Sequence, residues 1–200
     1  MFPGASHNRF EHSIGVSYLA GSLLDRFRRL QPELEINDVD TDLIRIAGLC
    51  HDLGHGPFSH VFDGEFMKRR CPEAKFTHEQ MSLKMFDYMI EDNNIDIEQN
   101  HVRFVKDAIM ASEHAKSKSS SKIREREFLY EIVANGKNSI DVDKFDYIAR
   151  DTQSCGLKSS FDHVRVHLLL LPSSSSLLSL SLSTHTQTHT HRFDSCATAE

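Results

Sequence analysis

His12, the adjacent pair His51-Asp52, and Asp143 are the residues of this chain best suited to chemistry. Imidazole nitrogens and carboxylate oxygens together suit a borderline-to-hard divalent metal such as zinc, iron, manganese or magnesium. Four protein ligands leave positions open on a six-coordinate ion, where it can polarise a phosphoryl oxygen or acidify a water. The pattern therefore predicts a metal-dependent hydrolase. Further histidines follow at once, with His55 and His60 in the Gly-rich run AGLCHDLGHGPFSH over 47–60, and His78 beyond it. His55, His60 and His78 are candidates to protonate a leaving oxygen, with Asp63 or Glu79 orienting them. Toward the C-terminus, Lys144, Tyr147 and Asp151 recur at i, i+3 and i+7 on one helical stripe beside Asp143. Lys144 suits a phosphate, Tyr147 a sugar face and Asp151 a hydroxyl. Arg9, one turn before His12, points a second cation the same way.

The elements that must position these residues are nearly all helices. Phe10, Ile14, Leu19, Leu23, Leu24 and Phe27 recur near helical spacing, predicting a first helix over 9–30 that Gln31-Pro32 ends. A second over 39–52, capped by Asn37 or Asp38, carries His51 and Asp52 at its C-terminal end. A turn follows at 54–57, then a short helix over 59–67. Thr77 caps a fourth helix, with Gln80 at capping-box spacing and Met81, Met85, Tyr88 and Met89 as its core face. Residues 101–110 and 128–133 read as helical, 112–127 as an exposed polar loop, and 141–151 as the last helix. The fold class is mainly α.

Bulk composition excludes several classes. The chain has 200 residues, 39% hydrophobic and 26% charged, which is enough for one domain with a core. A net charge of -6 gives no general attraction to nucleic acid or anionic membranes. Only the basic stretch 116–126 suits nucleic acid, and it reads better as a solvated loop. The four cysteines show no C-x-x-C spacing, which points to a reducing compartment. No apolar run approaches the roughly 20 residues of a membrane span. From residue 167 the chain alternates Leu with Ser and then Thr with His, a low-complexity tail expected to be disordered. CT and CA dinucleotide repeats encode those alternations, so the tail reads as translated simple-repeat DNA. Sequencing the transcript across codons 163–172 tests that.

The ordered set H…HD…D is the pattern of the HD-domain metal-dependent phosphohydrolases. Four longer runs, FPGASHNRFEHSIGV at 2–16, the run at 47–60, FLYEIV at 128–133 and IDVDKFDY at 140–147, closely resemble the sterile-alpha-motif and HD-domain deoxynucleoside triphosphate triphosphohydrolases. The resemblance covers residues 2–166 and implies a partial HD domain over 1–166, with a tail over 167–200. It implies hydrolysis of dNTPs, dGTP included, to deoxynucleoside and triphosphate by attack of water at the α-phosphorus. It assigns the metal to His12, His51, Asp52 and Asp143. Phosphate contacts go to Arg9, His55, His60 and Lys144, and proton transfer to His78 and Asp63. Deoxyribose contacts go to Tyr147 and Asp151. It also implies a GTP or dNTP activator, a homotetramer, a nuclear location with the cytoplasm as alternative, and an antiviral, innate-immune role through dNTP depletion. Segments that flank this region in the family have no counterpart in the sequence, so impaired activity is expected. Two alternatives stand beside this reading. One is another HD-type nucleotidase or cyclic-nucleotide phosphodiesterase. The other is a non-catalytic isoform that binds nucleotide or modulates the full-length enzyme.

Overall fold

A computed structural model describes residues 2–116 and 126–158. The order is α1 (Arg9–Leu30), α2 (Asp38–Cys50), α3 (Lys68–Arg70), α4 (His78–Asp92), α5 (Gln99–Ile109), α6 (Ala111–Lys116) and α7 (Val142–Ser154). Among the described residues there is no strand, as the mainly α reading requires. No helix among them is long and apolar enough to cross a membrane. The predicted tail and most of the basic stretch lie outside the described residues.

Helix α1 packs along α2 on one side and α7 on another, and α2 also meets α5. The core between them is built from Val16, Ala20, Leu23, Leu24 and Phe27 of α1 and Ile44 and Ala47 of α2. Val105 and Ile109 of α5, Phe128 and Ile132 of the following turns, and Val142 and Phe145 of α7 complete it. Each fully buried large apolar side chain contributes about 1.5–3 kcal/mol. The close approach of α1 to α2 depends on Gly48, where an added Cβ would lie 3.2 Å from Val16 and 3.3 Å from the Ser17 backbone.

Several expectations need correction. The first helix lies where the spacing predicted, though Phe10 and Ile14, which contributed to that spacing, are 71% and 48% exposed and the buried stripe of α1 runs through Val16 and Ala20. In α4 the buried residues are Ser82 and Phe86, whereas Met85 and Tyr88 point outward. Several apolar residues on that helix made its phase ambiguous, and Phe86 fills more core volume than a methionine one position away. Thr77 does cap α4 through Gln80 N–H at 3.3 Å. The segment 128–133 is a 3-10 turn (Glu127–Leu129) followed by further turns, not a helix. Residues 112–116, expected as the start of a loop over 112–127, belong to α6. The short helix after residue 59 widens into a π-helical turn, Phe62–Met67. Helix α2 ends at Cys50, so His51 and Asp52 lie in the turn that closes it.

That turn is pinned from α4. The fully buried Ser82 Oγ donates to His51 O at 2.6 Å and accepts from Gly54 N–H at 2.8 Å. A Cβ on Gly54 would fall 2.2 Å from His78 O and 2.3 Å from Ser82 N, so only glycine lets the two segments meet. Ser82→Ala would strand a buried N–H and a carbonyl. The expected cost is about 1–3 kcal/mol in urea unfolding, with the helical content unchanged.

Candidate metal centre and its pocket

Three segments deliver the donors. Asn8 caps α1 through Glu11 N–H, which places His12 one turn inside the helix on its buried face. Asp141 caps α7 by accepting from Lys144 N–H and also binds Asn135 N–H, both at 3.0 Å. This double anchor sets Asp143 in the first turn of α7, opposite the turn at His51-Asp52. His12 Nε2 lies 3.0 Å from Asp143 Oδ1 and 3.5 Å from Asp52 Oδ2. His51 Nε2 lies 3.4 Å from each of the same two carboxylates. Ligands bonded to one metal at about 2.0–2.2 Å sit at such mutual separations.

The donors are also turned the right way. His51 Nδ1–H donates to Gly48 O at 2.7 Å, so its Nε2 presents a lone pair to the cluster. That Nε2 is buried and has no hydrogen-bond partner. His12 Nδ1–H donates to Asp146 Oδ2 at 2.8 Å, which turns its Nε2 inward too. Ligating histidines are oriented in this way by the group on their other nitrogen. A buried, unsatisfied imidazole nitrogen facing two carboxylates is a sound fit for a divalent cation.

Electrostatics agree. Burial pushes the His12 imidazolium down, but its bonds to Asp143 and Asp146 outweigh this and raise it to about 9. Burial raises Asp52, yet His55, His51 and Arg9 bring it down to about 2. Asp143 is likewise held well below the usual carboxylate range by His12 and His51, against its burial. For the chelated protein the signs are opposite. His12 stabilises fully below its ordinary 6.5, and this is lost as pH rises through about 9. Asp52 stabilises above its ordinary 3.8, and this is lost as pH falls through about 2. From these two groups, melting temperature by circular dichroism is expected to be highest between 3.8 and 6.5 and to fall on both sides. A cation entering the site displaces the His12 proton, so affinity should climb as pH rises toward 9.

A second group adjoins the first. His55, His60, Asp63 and His78 offer ligand atoms within 4.8 Å of one another. His78 Nδ1–H donates to Asp63 Oδ2 at 2.8 Å, while Glu79 reaches His78 Nε2 only at 3.5 Å. Asp63 is therefore the residue that orients His78. The rings of His55 and His78 stack with centroids 3.8 Å apart. His55 Nε2 lies 3.4 Å from Asp52 Oδ1, which joins the two groups. Phe58 and Ser59 both hold positive φ, 61° and 51°, in a left-handed bend that few non-glycine residues adopt. The bend turns Ser59 toward Arg9, whose guanidinium donates to Ser59 Oγ and to Asp52 Oδ2.

The predicted site residues all line one cavity of about 850 Å³, apart from Asp63, which stands behind His78. Lys144 Nζ donates to Ser139 O at 3.0 Å on its rim. Tyr147 is 37% exposed there, and Asp151 accepts from His7 Nε2–H at 2.8 Å. Sequence reasoning missed His7, Asp146, Arg150 and Gly15. Their signal was thin, namely an acid three residues after Asp143 and an arginine four residues further on.

Comparison with known proteins agrees with this geometry. The chain is 49% identical over 179 residues to the deoxynucleoside triphosphate triphosphohydrolase SAMHD1 of Bos taurus, covering 82% of this chain and 30% of that protein. The Homo sapiens protein of the same name is 47% identical over 178 residues, covering 82% and 28%. The SAMHD1 homolog of Dictyostelium discoideum is 46% identical over 167 residues, covering 83% and 31%. The chain thus spans about 30% of the length of the curated relatives it matches. The HD domain family matches residues 9–151, from the first residue of α1 to the rim carboxylate of Asp151, and includes all four donors. The chain belongs to the HD-domain family.

Proposed function

We propose that this pocket hydrolyses deoxynucleoside triphosphates, dGTP among them, to deoxynucleoside and inorganic triphosphate. The observation that carries the reading is the orphaned His51 Nε2 and its three companion donors, opening into a cavity rimmed by Arg9, Lys144 and Tyr147. The relatives' names supply the substrate class. His12, His51, Asp52 and Asp143 would hold zinc, iron, manganese or magnesium. When bound, the metal supplies Lewis-acid polarisation of a phosphoryl oxygen.

The chain's own residues supply the rest. Arg9 and Lys144 flank the donors and neutralise phosphate charge, with His55 and His60 donating to phosphate oxygens. His78, fixed through Nδ1 by Asp63, presents Nε2 to the cavity and moves a proton to the leaving oxygen. Tyr147 packs on the deoxyribose, and Asp151, held by His7, accepts a sugar hydroxyl. For the assembled protein we extend the reading to a homotetramer gated by GTP or a dNTP. It would sit in the nucleus and limit viral DNA synthesis by depleting dNTPs. These extensions rest on resemblance alone.

The test is incubation of the full chain with Mn²⁺, dGTP and GTP, with ion chromatography of the products. Inorganic triphosphate supports the reading. Monophosphate or orthophosphate as the first product would move the chain to another HD-type nucleotide hydrolase. Bound dGTP without any turnover would favour a nucleotide-binding role.

A further inference from the structure

His12 and His51 are oriented by different kinds of group. His51 leans on a main-chain carbonyl, Gly48 O, which no side-chain change removes. His12 leans on a side chain, Asp146, which is only 7% exposed. All of the described bonds to Asp146 have a direction. Its Oδ2 accepts from His12 Nδ1–H and from Arg150 Nε–H, both at 2.8 Å. Its Oδ1 accepts from Arg150 Nη2–H, also at 2.8 Å. The two bonds from Arg150 form a bidentate fork that fixes the carboxylate plane. Arg150 is itself steered by Glu11 of α1, at 4.0 Å.

The space for this fork is made by α1. A Cβ on Gly15 would fall 1.9 Å from Asp146 Oδ1 and 2.4 Å from Arg150 Nη2. Gly15 stands three residues after His12 on the same face of the helix. The residue that leaves room for the fork and the residue the fork orients therefore ride on one rigid element.

We propose that Asp146, clamped by Arg150 in the gap at Gly15, is a positioning residue that keeps the proton of His12 on Nδ1 and its Nε2 free to ligate. This rests on the metal reading of the donor cluster. Asparagine at 146 cannot do the same work. With its oxygen toward His12, its NH₂ meets Arg150 Nη2–H, donor against donor. With its oxygen toward Nη2, its NH₂ meets His12 Nδ1, which must then accept, and the proton moves to Nε2, where it blocks ligation.

The experiment measures Zn²⁺ affinity of the full chain by competition with a chromophoric chelator, beside ¹⁵N NMR of the histidine rings. Wild type should bind one Zn²⁺ at this cluster and His12→Ala should lose it. If wild type binds none, the metal reading fails and takes this role with it. Given wild-type binding, Asp146→Asn is expected to weaken Zn²⁺ by 10–100-fold, as loss of a ligand's outer partner does. Its helical signal should persist and, in the metal-free protein at a pH where His12 is neutral, the ring proton should sit on Nε2 instead of Nδ1. Unchanged affinity with the proton still on Nδ1 would overturn the role and leave the metal reading intact. If Asp146→Asn does not fold, Arg150→Gln gives the answer, because that side chain is 26% exposed. It should weaken Zn²⁺ several-fold, and wild-type affinity would refute the clamp.

Discussion

Asp143→Ala is expected to remove metal retention and triphosphate release together. One atom, Asp143 Oδ1, approaches both imidazole nitrogens, at 3.0 Å from His12 and 3.4 Å from His51. Its loss removes a ligand and much of the negative charge that makes the cluster attractive to a cation. It also leaves the two histidines facing Asp52 alone, which Arg9 already neutralises in part. Metal affinity should fall by more than the 10–100-fold cost of an outer partner. Helix α7 should survive, because Asp141 rather than Asp143 caps it. The measurement is metal content by mass spectrometry after gel filtration, beside the triphosphate assay. A variant that keeps wild-type metal content would remove Asp143 from the ligand set.

The second large effect separates proton transfer from metal binding. His78→Asn is expected to lower kcat by about 10²–10⁴-fold, the usual contribution of a positioned acid or base. That is about 3–5 kcal/mol of barrier. Metal content at the first cluster should not change, since His78 belongs to the group of His55, His60 and Asp63 and not to that of His12, His51 and Asp52. The asparagine amide can still donate to Asp63 in the way His78 Nδ1–H does now at 2.8 Å. The variant therefore deletes Nε2 with little disturbance of the pocket wall. Asp63→Asn should give a smaller loss of the same kind, because it misorients the ring without removing it. If His78→Asn retains wild-type kcat, proton delivery belongs to His55 or His60.

The placement of His51 and Asp52 beside His12 and Asp143 was readable in part from sequence, because the central pair is tied to backbone punctuation. An apolar helix that runs into His-Asp and then Gly and Pro leaves little choice about where those side chains go. The clamp around Asp146 was not readable. Asp146 and Arg150 sit four apart on a helix also rich in Asp, Lys and Tyr, and such pairs commonly decorate solvated faces. Only the close approach of α1 at Gly15 reveals that this pair is turned inward. The phase of α4 failed for a related reason, because exposed Met85 and Tyr88 are as apolar as the residues that are buried. Ser82 escaped notice because a serine's worth depends on which backbone groups come within reach, and here they belong to a segment 28 residues away. The π-helical turn over Phe62–Met67 carries no composition signal of its own.

The donors at residues 12, 51–52 and 143 span most of the described chain, and this has a consequence for biosynthesis. Chains emerge from the ribosome N-terminus first. α1 and α2 can pair early, yet until α7 has been made and docked on α1 the growing chain holds three donors and no fourth. A cation captured by the nascent chain before then would be held by an incomplete donor set. Stable loading would wait for α7, residues 142–154, to emerge and dock on α1. A metal stably retained at this cluster would then certify that the domain has finished folding.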